Sequence, residues 1–548
     1  MRFDLDHDWQ GNMSTPRAKV GERAKTHLLL VLCAVWLCMG LVGHAPWKPY
    51  ESHSISTIKT ILDTGNLIAP TSASNAHIAN PPLYYLSAAA TAKILNPILP
   101  MHDAARVATG LWMLLTLLVI GMTGRELWGN GFGRQTTFVF IGALGLVLSA
   151  HTLMPAVSAL TGLASSFYAL ALAKRRPYRA CILLAAGMVV SFLSTGLQPL
   201  AIILATCLAL PALFSIWRNT SYAEVILLAL LAASPFIVGW SIICQSYYPE
   251  IFQHWWMLSW LQFTHSNHTY FLNILLWYAW PALPLAAWGL WRYRNQLIHK
   301  PRFQLIITFF AAAWLFIGLG YDNEVFALPF LVPLTAMAGG SIETLKRGTA
   351  GALSWFGLIL FGLMSFIIWL GWLAMLTGNP VKIKERLVFL SGMQQLDFNM
   401  IAFSIAATLT LIWLFAIFRS QFSNRSSATN WAIGMTCVWT LLMTLWLPLI
   451  DSARSYRAVF SSLNKALPAN YACVKSQNLG TAQHDLLHYY ANIKTTRAES
   501  EQALSCDLFL VQDEKGRVKI EPNSEWKLVW SGKRVSDRRE SFRLFQHI

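Results

Sequence analysis

Between two apolar stretches, residues 44–103 hold an acid, Glu51, near His44 and His53, with His77 further along. A carboxylate beside a substrate hydroxyl can take its proton as a general base. The same predicted face of the molecule carries Asp103, His151, Glu250, His254, His265, His268, Asp322 and Glu324. Lys382, Lys384 and Arg386 form a tight basic cluster, suited to a lipid headgroup or to extra positive charge at a site. Each group has a plainer alternative. Glu51 could cap or pair within its own loop. His254, His265 and His268 could be solvated loop residues, and Asp322 and Glu324 could simply mark a polar loop. The histidines lack a motif such as His–Glu–x–x–His, so no zinc site is indicated. No Gly-rich phosphate loop, nucleophile elbow or fixed-period repeat occurs, and nothing points to nucleotide use.

The elements that must position these residues are membrane helices. Hydrophobic residues make up 55% of the 548, and charged residues only 12%, against about 25% in soluble chains. The mean hydropathy is +0.45. Such a composition excludes an ordinary cytosolic enzyme and a disordered chain. A crossing helix needs roughly 20 apolar residues. About thirteen segments qualify, near 27–43, 104–122, 135–151, 155–173, 178–194, 196–215, 223–243, 271–290, 303–320, 325–341, 351–376, 398–418 and 429–450. The pairs meeting at 151/155, 194/196 and 320/325 are closely spaced, and merging one would reverse everything after it.

Charge orients this map. Arg17, Lys19, Arg23 and Lys25 precede the first span, so residues 1–26 form a cytoplasmic tail. Every second turn is then inside and holds basic residues, such as Lys174, Arg175, Arg176 and Arg179. Lys48, Lys59 and Lys93 are scattered exceptions in the first outer loop. The rule accounts for much of the net charge of +16 without any nucleic-acid partner. The first apolar stretch runs into Pro46 and Trp47 without a small-residue cleavage site, and reads as an uncleaved span. An odd number of spans places the segment from 451 onward outside.

That segment, 451–548, is soluble in composition and reads as a small α/β unit. Strands are expected at Tyr471–Val474, Leu508–Gln512, Trp526–Trp530 and Ser541–Phe545, with helices at Ala453–Ala466 and Ala482–Tyr490. Of eight cysteines, only Cys473 and Cys506 lie here. An oxidising outside compartment would join them as a structural disulfide; the alternative is two free buried thiols. In the first loop, Ile55–Leu62 and Pro82–Leu95 read as short helices lying in the membrane interface plane. The aromatic loop after Cys244 reads as an interfacial anchor or as a wall of a lipid cavity.

Three stretches of the first loop stand in a telling order: Trp47 with Pro49–Tyr50–Glu51, then Gly65–Asn66–Leu67 with Pro70, then Asn80–Pro81–Pro82–Leu83–Tyr84–Tyr85. Downstream come Asp103–Ala104–Ala105–Arg106, Ser194–Thr195–Gly196–Leu197 and Phe326–Ala327–Leu328–Pro329 with Pro333. Together these resemble the multi-pass C-type (GT-C) glycosyltransferases, in particular the bacterial relatives of protein O-mannosyltransferases and of the lipid A aminoarabinose transferase. The resemblance runs along nearly the whole chain. It implies an all-α polytopic membrane domain over 27–450, with about thirteen helices, followed by the small α/β domain on the periplasmic side of a bacterial inner membrane.

The resemblance also implies an activity. A sugar would pass from a polyprenyl-phosphate donor to a lipid or cell-envelope glycan on the outer face, through an oxocarbenium-like state. On this reading Glu51 and Tyr50 occupy the catalytic element. His53, Asn80 and Tyr84 would meet substrate, and Lys382 and Lys384 could supply positive charge to the phosphate. The pattern is not intact. The family's first-loop Asp falls on Tyr50, its phosphate-meeting Arg on His53, and the Lys before Pro–Pro on Asn80. The Lys of the Lys–Gly turn falls on Thr195, and a second family Asp has no acidic counterpart around residues 153–156. The sequence names no certain cofactor. The family chemistry allows a divalent metal at the leaving phosphate, but no ligand spacing supports one. The losses leave a second reading, a non-catalytic relative that binds polyprenyl-linked lipid or assists a partner enzyme. A transporter would need charged or broken helices at mid-membrane and fits less well.

Overall fold

The computed structural model describes residues 22–264, 268–419, 423–497, 506–514, 525–537 and 540–548. His265, most of the basic N-terminal tail and parts of the C-terminal domain lie outside the described residues. All thirteen apolar segments fall on helices. Seven described helices are long and apolar enough to cross a membrane: Met101–Trp128, Pro177–Thr195, Thr220–Tyr247, Pro301–Gly318, Glu324–Thr344, Arg347–Thr377 and Met400–Phe418. His268–Tyr278 with Ala282–Arg292, and Asn424–Leu445 with Leu447–Arg454, qualify as pairs bent by 100° and 66°. Ala24–Cys38, Ala156–Leu172 and Leu197–Leu213 are shorter apolar helices.

The three closely spaced pairs stay separate. At 195/197 the chain turns on Gly196, whose φ of +88° suits glycine alone. The segment expected at 135–151 is instead broken into Phe132–Ile141 and Leu144–Ser149. The cause lies in another helix. Trp431 Nε1 donates to the Gly142 carbonyl at 2.9 Å, and the indole fills the space where a Cβ would stand. The Leu144 N–H then donates to the Trp280 carbonyl at 3.1 Å.

Two helices approach especially closely. Ala156–Leu172 and Pro177–Thr195 meet at Gly162 and Gly187, where an added Cβ on either would stand 2.7 Å from the other's carbonyl oxygen. Ser166 and Ser191 lie one turn on from each glycine. Small residues at a four-residue spacing let membrane helices pack backbone to backbone.

The C-terminal sheet has the order β2-β1-β3-β5-β4, with β1 Val474–Gln477, β2 Thr495–Arg497, β3 Leu508–Glu514, β4 Trp526–Lys533 and β5 Glu540–His547. β1 pairs in parallel with β2 and β3, while β5 is antiparallel to both β3 and β4. Thr481–Ala491 forms the crossover helix between β1 and β2. β1 begins at Val474, later than expected, and β2 was not foreseen at all: three residues, Thr495–Arg497, give too little alternation to read. The helix expected at Ala453–Ala466 is divided. Leu447–Arg454 continues from the last apolar helix, and Arg457–Ala466 follows. Cys473 and Cys506 are joined by a disulfide.

The first-loop helices, Tyr50–Thr64 and Leu83–Leu95, are packed inside the protein. Ile55, Ile58 and Ile61 bury against Tyr84, Tyr85, Ala88 and Ala92, with Ala105 and Ala108 beneath. The opposite, polar face of Tyr50–Thr64 meets the crossover helix Thr481–Ala491 of the C-terminal domain, so neither lies free in an interface plane.

Candidate functional site

The loop after the first helix is tied down by one buried guanidinium. Arg106, fully buried, donates from Nε to Glu51 Oε1 at 2.7 Å and from Nη2 to Glu51 Oε2 at 2.9 Å. Its Nη1 donates to Asp103 Oδ1 at 2.7 Å and to the His44 carbonyl at 2.9 Å. Nη2 also donates to the Ala45 carbonyl at 3.0 Å. A charge this deep must be paired and hydrogen-bonded to be tolerated, and here it is.

Glu51 has no capacity left. Beyond Arg106, its oxygens accept from the Trp47 N–H at 2.9 Å and the Leu153 N–H at 3.1 Å. Burial pushes its carboxyl up, but the Arg106 charge and hydrogen bonds outweigh it and hold the group down at about 2. An ionised carboxylate with its acceptor sites filled makes a poor proton acceptor at neutral pH. The geometry commits both Glu51 oxygens to Arg106 and to two backbone N–H groups.

Beside this node lies a cavity of about 380 Å³. Trp47, Trp439 and His44 form aromatic walls, and Lys48, Arg454 and Arg534 add positive charge. Tyr50 and Glu324 also line it. The Tyr50 hydroxyl donates to Asn323 Oδ1 at 2.7 Å, and the same Asn323 oxygen accepts from the Val325 N–H at 3.0 Å. That bond caps the turn presenting Glu324, which is exposed and has no cation partner among the described residues. Burial raises the Tyr50 hydroxyl above its ordinary value, and nearby Glu324 adds to the shift while the bond to Asn323 opposes it. Burial lowers the His44 ring and Arg106 lowers it further, while Glu51 and the Ala45 and Gly40 carbonyls at its two ring nitrogens oppose the shift.

The basic side of the cavity belongs to the C-terminal domain and the start of the loop. Buried Glu540 on β5 accepts from the Tyr456 hydroxyl at 2.6 Å, from Gln512 Nε2 at 3.0 Å and from Arg534 Nε at 3.2 Å. Arg534 also donates to Asp537 Oδ2 at 2.6 Å and to the Ala453 carbonyl at 2.9 Å. Asp451 Oδ1 in turn accepts from the Ala45 N–H at 2.8 Å and from Trp47 Nε1 at 3.0 Å. Loop and domain therefore fix each other.

The other predicted residues fall elsewhere. His53 Nδ1 faces buried Asp485 Oδ2 at 3.5 Å, within the contact to the crossover helix. Asn80 Nδ2 donates to the Tyr85 hydroxyl at 3.4 Å. Tyr84 is fully buried and hydrogen-bonds Thr109 Oγ1 at 2.7 Å. Lys382 and Lys384 are carried by helix Val381–Ser391. None of these five lines the cavity. Of the catalytic pair, Tyr50 does so with its hydroxyl tied to the Glu324 turn, and Glu51 does so already committed to Arg106. Sequence reasoning passed over Lys48 as a loop exception and Glu324 as a loop marker, and gave Arg454 and Arg534 no role. The nearest signal was the charge just past the last span, in Asp451 and Arg454. No group of three or more His, Cys, Asp or Glu that could hold a metal ion is found among the described residues.

No family model matches the sequence, and no curated protein does. Solved structures do match. ArnT from Cupriavidus metallidurans bound to undecaprenyl phosphate superposes with a TM-score of 0.70 at 14% identity, over 95% of this chain and 97% of that one. The same protein in the apo state gives 0.69 at 14% identity, over the same shares. An oligosaccharyltransferase from Archaeoglobus fulgidus in the apo form gives 0.42 at 7% identity, over 88% of this chain and 69% of that one, too low to carry weight. The likeness to ArnT is one of fold, and it extends from the first helices to the C-terminal sheet. The mostly helical fold with a small C-terminal sheet, implied by the resemblance to the C-type membrane glycosyltransferases, is observed, with seven described helices, or nine counting the bent pairs, apolar and long enough to cross a membrane.

Proposed function

We propose that this chain is a membrane glycosyltransferase of the C-type superfamily. It moves a sugar from a polyprenyl phosphate to a lipid or cell-envelope acceptor on the periplasmic side of the inner membrane. The observation that carries this reading is the cavity. Glu324, a carboxylate with no cation partner among the described residues, lines a cavity of about 380 Å³ together with Lys48, Arg454 and Arg534, on a fold similar to a protein solved with undecaprenyl phosphate.

In this mechanism Glu324 takes the proton of the acceptor hydroxyl. The acceptor oxygen bonds to the sugar C1 as the C1–O bond to phosphate breaks. The bonding pair leaves on the phosphate oxygen, which frees polyprenyl phosphate. Tyr50 holds the Glu324 turn through Asn323, and Glu51 with Arg106 holds the loop that carries Tyr50. A positioned general base contributes about 10²- to 10⁴-fold in rate. Reconstituted protein supplied with labelled polyprenyl-phosphate sugars and an envelope lipid extract is expected to form product. Glu324→Gln is expected to fold normally and to lose about two to four orders of magnitude in rate. An equally active Glu324→Gln variant overturns the assignment.

A second reading is favoured by one observation: the acid at the family's catalytic element, Glu51, is locked in an ion pair. A non-catalytic relative would bind polyprenyl-linked lipid and give no product with any donor.

A further inference from the structure

We propose that the lipid phosphate is held by cations at the seam between the first loop and the C-terminal domain, with Lys48 and Arg454 as its ligands. This rests on the reading that the donor is a polyprenyl phosphate. The positions where related enzymes would carry cations are here His53 and Asn80, and both turn away from the cavity. The cavity nevertheless gathers three cations. Arg534 is occupied, held by Glu540 and Asp537. The other two are held less tightly. Lys48 Nζ makes one long ion pair, 3.9 Å from Glu540 Oε1, and stands 5.3 Å from the Tyr456 ring centroid, with 39% of its side chain exposed. Arg454 stands 5.3 Å from the Trp47 ring centroid and has no carboxylate partner among the described residues.

On the acidic side, Glu51 is neutralised by Arg106, which leaves Glu324. The cavity lining thus holds Lys48, in a long ion pair, and Arg454, without a carboxylate partner among the described residues, together with the carboxylate of Glu324. A phosphate ester fits these cations, because charge-assisted bonds from Lys and Arg are its strongest ligands. A sugar carried on that phosphate would then lie toward Glu324, between the aromatic walls. Because Arg454 lies at the start of the C-terminal segment, 451–548, that segment completes the phosphate site.

The test uses the full chain in detergent, with binding read by native mass spectrometry for polyprenyl phosphate, for the uncharged polyprenol and for inorganic phosphate. Lys48→Gln and Arg454→Gln are each expected to weaken polyprenyl-phosphate binding about tenfold, and to leave polyprenol binding unchanged. Lys48→Arg is expected to restore most of the loss. Parental affinity in both Gln variants overturns the clamp and leaves the glycosyltransferase reading standing if the parent still forms product. Weakening by Lys382→Gln with Lys384→Gln, with no effect at Lys48 or Arg454, places the phosphate elsewhere and also overturns it. Cation-dependent binding of inorganic phosphate without binding of the lipid overturns the lipid assignment. A parent that binds no polyprenyl phosphate and forms no product overturns both readings together.

Discussion

At the scale of single residues, the site turns on a division between two carboxylates. Glu51 is buried and saturated, whereas Glu324 is exposed and free of a cation partner. Removing one member of a buried ion pair leaves the other uncompensated and destabilises by about 3–5 kcal/mol. Glu51→Gln is therefore expected to lower thermal stability clearly, measured by unfolding in detergent, while Glu324→Gln leaves it alone. Activity lost in Glu51→Gln would follow from loss of fold. Acid gives a second readout. The Glu51 carboxyl in the folded protein lies near 2, below its ordinary 4.5. Its stabilising effect is thus complete above about 4.5 and disappears as pH falls through about 2. Glu51→Gln should flatten stability against pH in that window. An unchanged acid limb would mean the pair contributes nothing. The sequence made Glu51 legible as a position through its motif. Its role was hidden, because its partner Arg106 lies 55 residues away and only the folded chain brings them together.

At the scale of elements, period was readable and placement was not. Tyr50–Thr64 and Leu83–Leu95 were expected as helices from their apolar spacing, and they are helices. Their burial between the membrane helices and the C-terminal domain could not be read, since an apolar face looks the same toward lipid as toward protein. The break at Gly142 escaped for a similar reason, because its cause is Trp431, 289 residues on. One packing signal was present and unused: Gly162 with Ser166, and Gly187 with Ser191, the same small-residue spacing in two neighbouring helices. A leucine at Gly162 would have to displace the Gly187 backbone and the Ser191 side chain, both nearer than 3.0 Å to its Cβ. Overpacking of this kind typically costs about 1–3 kcal/mol, and more where backbone must move. Gly239→Leu is the matched control, with nothing within 4 Å of an added Cβ. Gly162→Leu is expected to reduce folded yield and thermal stability, and Gly239→Leu to leave both near the parent. Equal behaviour of the two would show that this contact is not a stabilising one.

At the scale of the whole molecule, composition located the change to a soluble domain near 451, and the helix Leu447–Arg454 runs through it. Only the folded chain could reveal the cavity, because it joins residues 48, 324, 454 and 534, which no local pattern connects. The number of crossings is where sequence and structure constrain each other. Seven helices span by length, and two bent pairs are each one broken span or a re-entrant loop. Three further helices, each under 18 residues, and the broken pair Phe132–Ile141 and Leu144–Ser149 complete the thirteen segments. At 1.5 Å per residue, a 17-residue helix reaches about 25 Å, near the lower limit for a bilayer core. Basic residues favour counting all of these as crossings: Lys174, Arg175, Arg176 and Arg179 would be inside, and Lys48, Glu324 and Arg534 outside with the cavity. Reporter fusions test this arrangement. A reporter active only outside the cell membrane is expected to work after Ile548, and one active only in the cytoplasm after Arg176. If the two positions report the same side, an odd number of crossings separates them no longer. If Ile548 is the one that reports the cytoplasmic side, the cavity lies away from the proposed periplasmic face, and the proposed reaction could not proceed there.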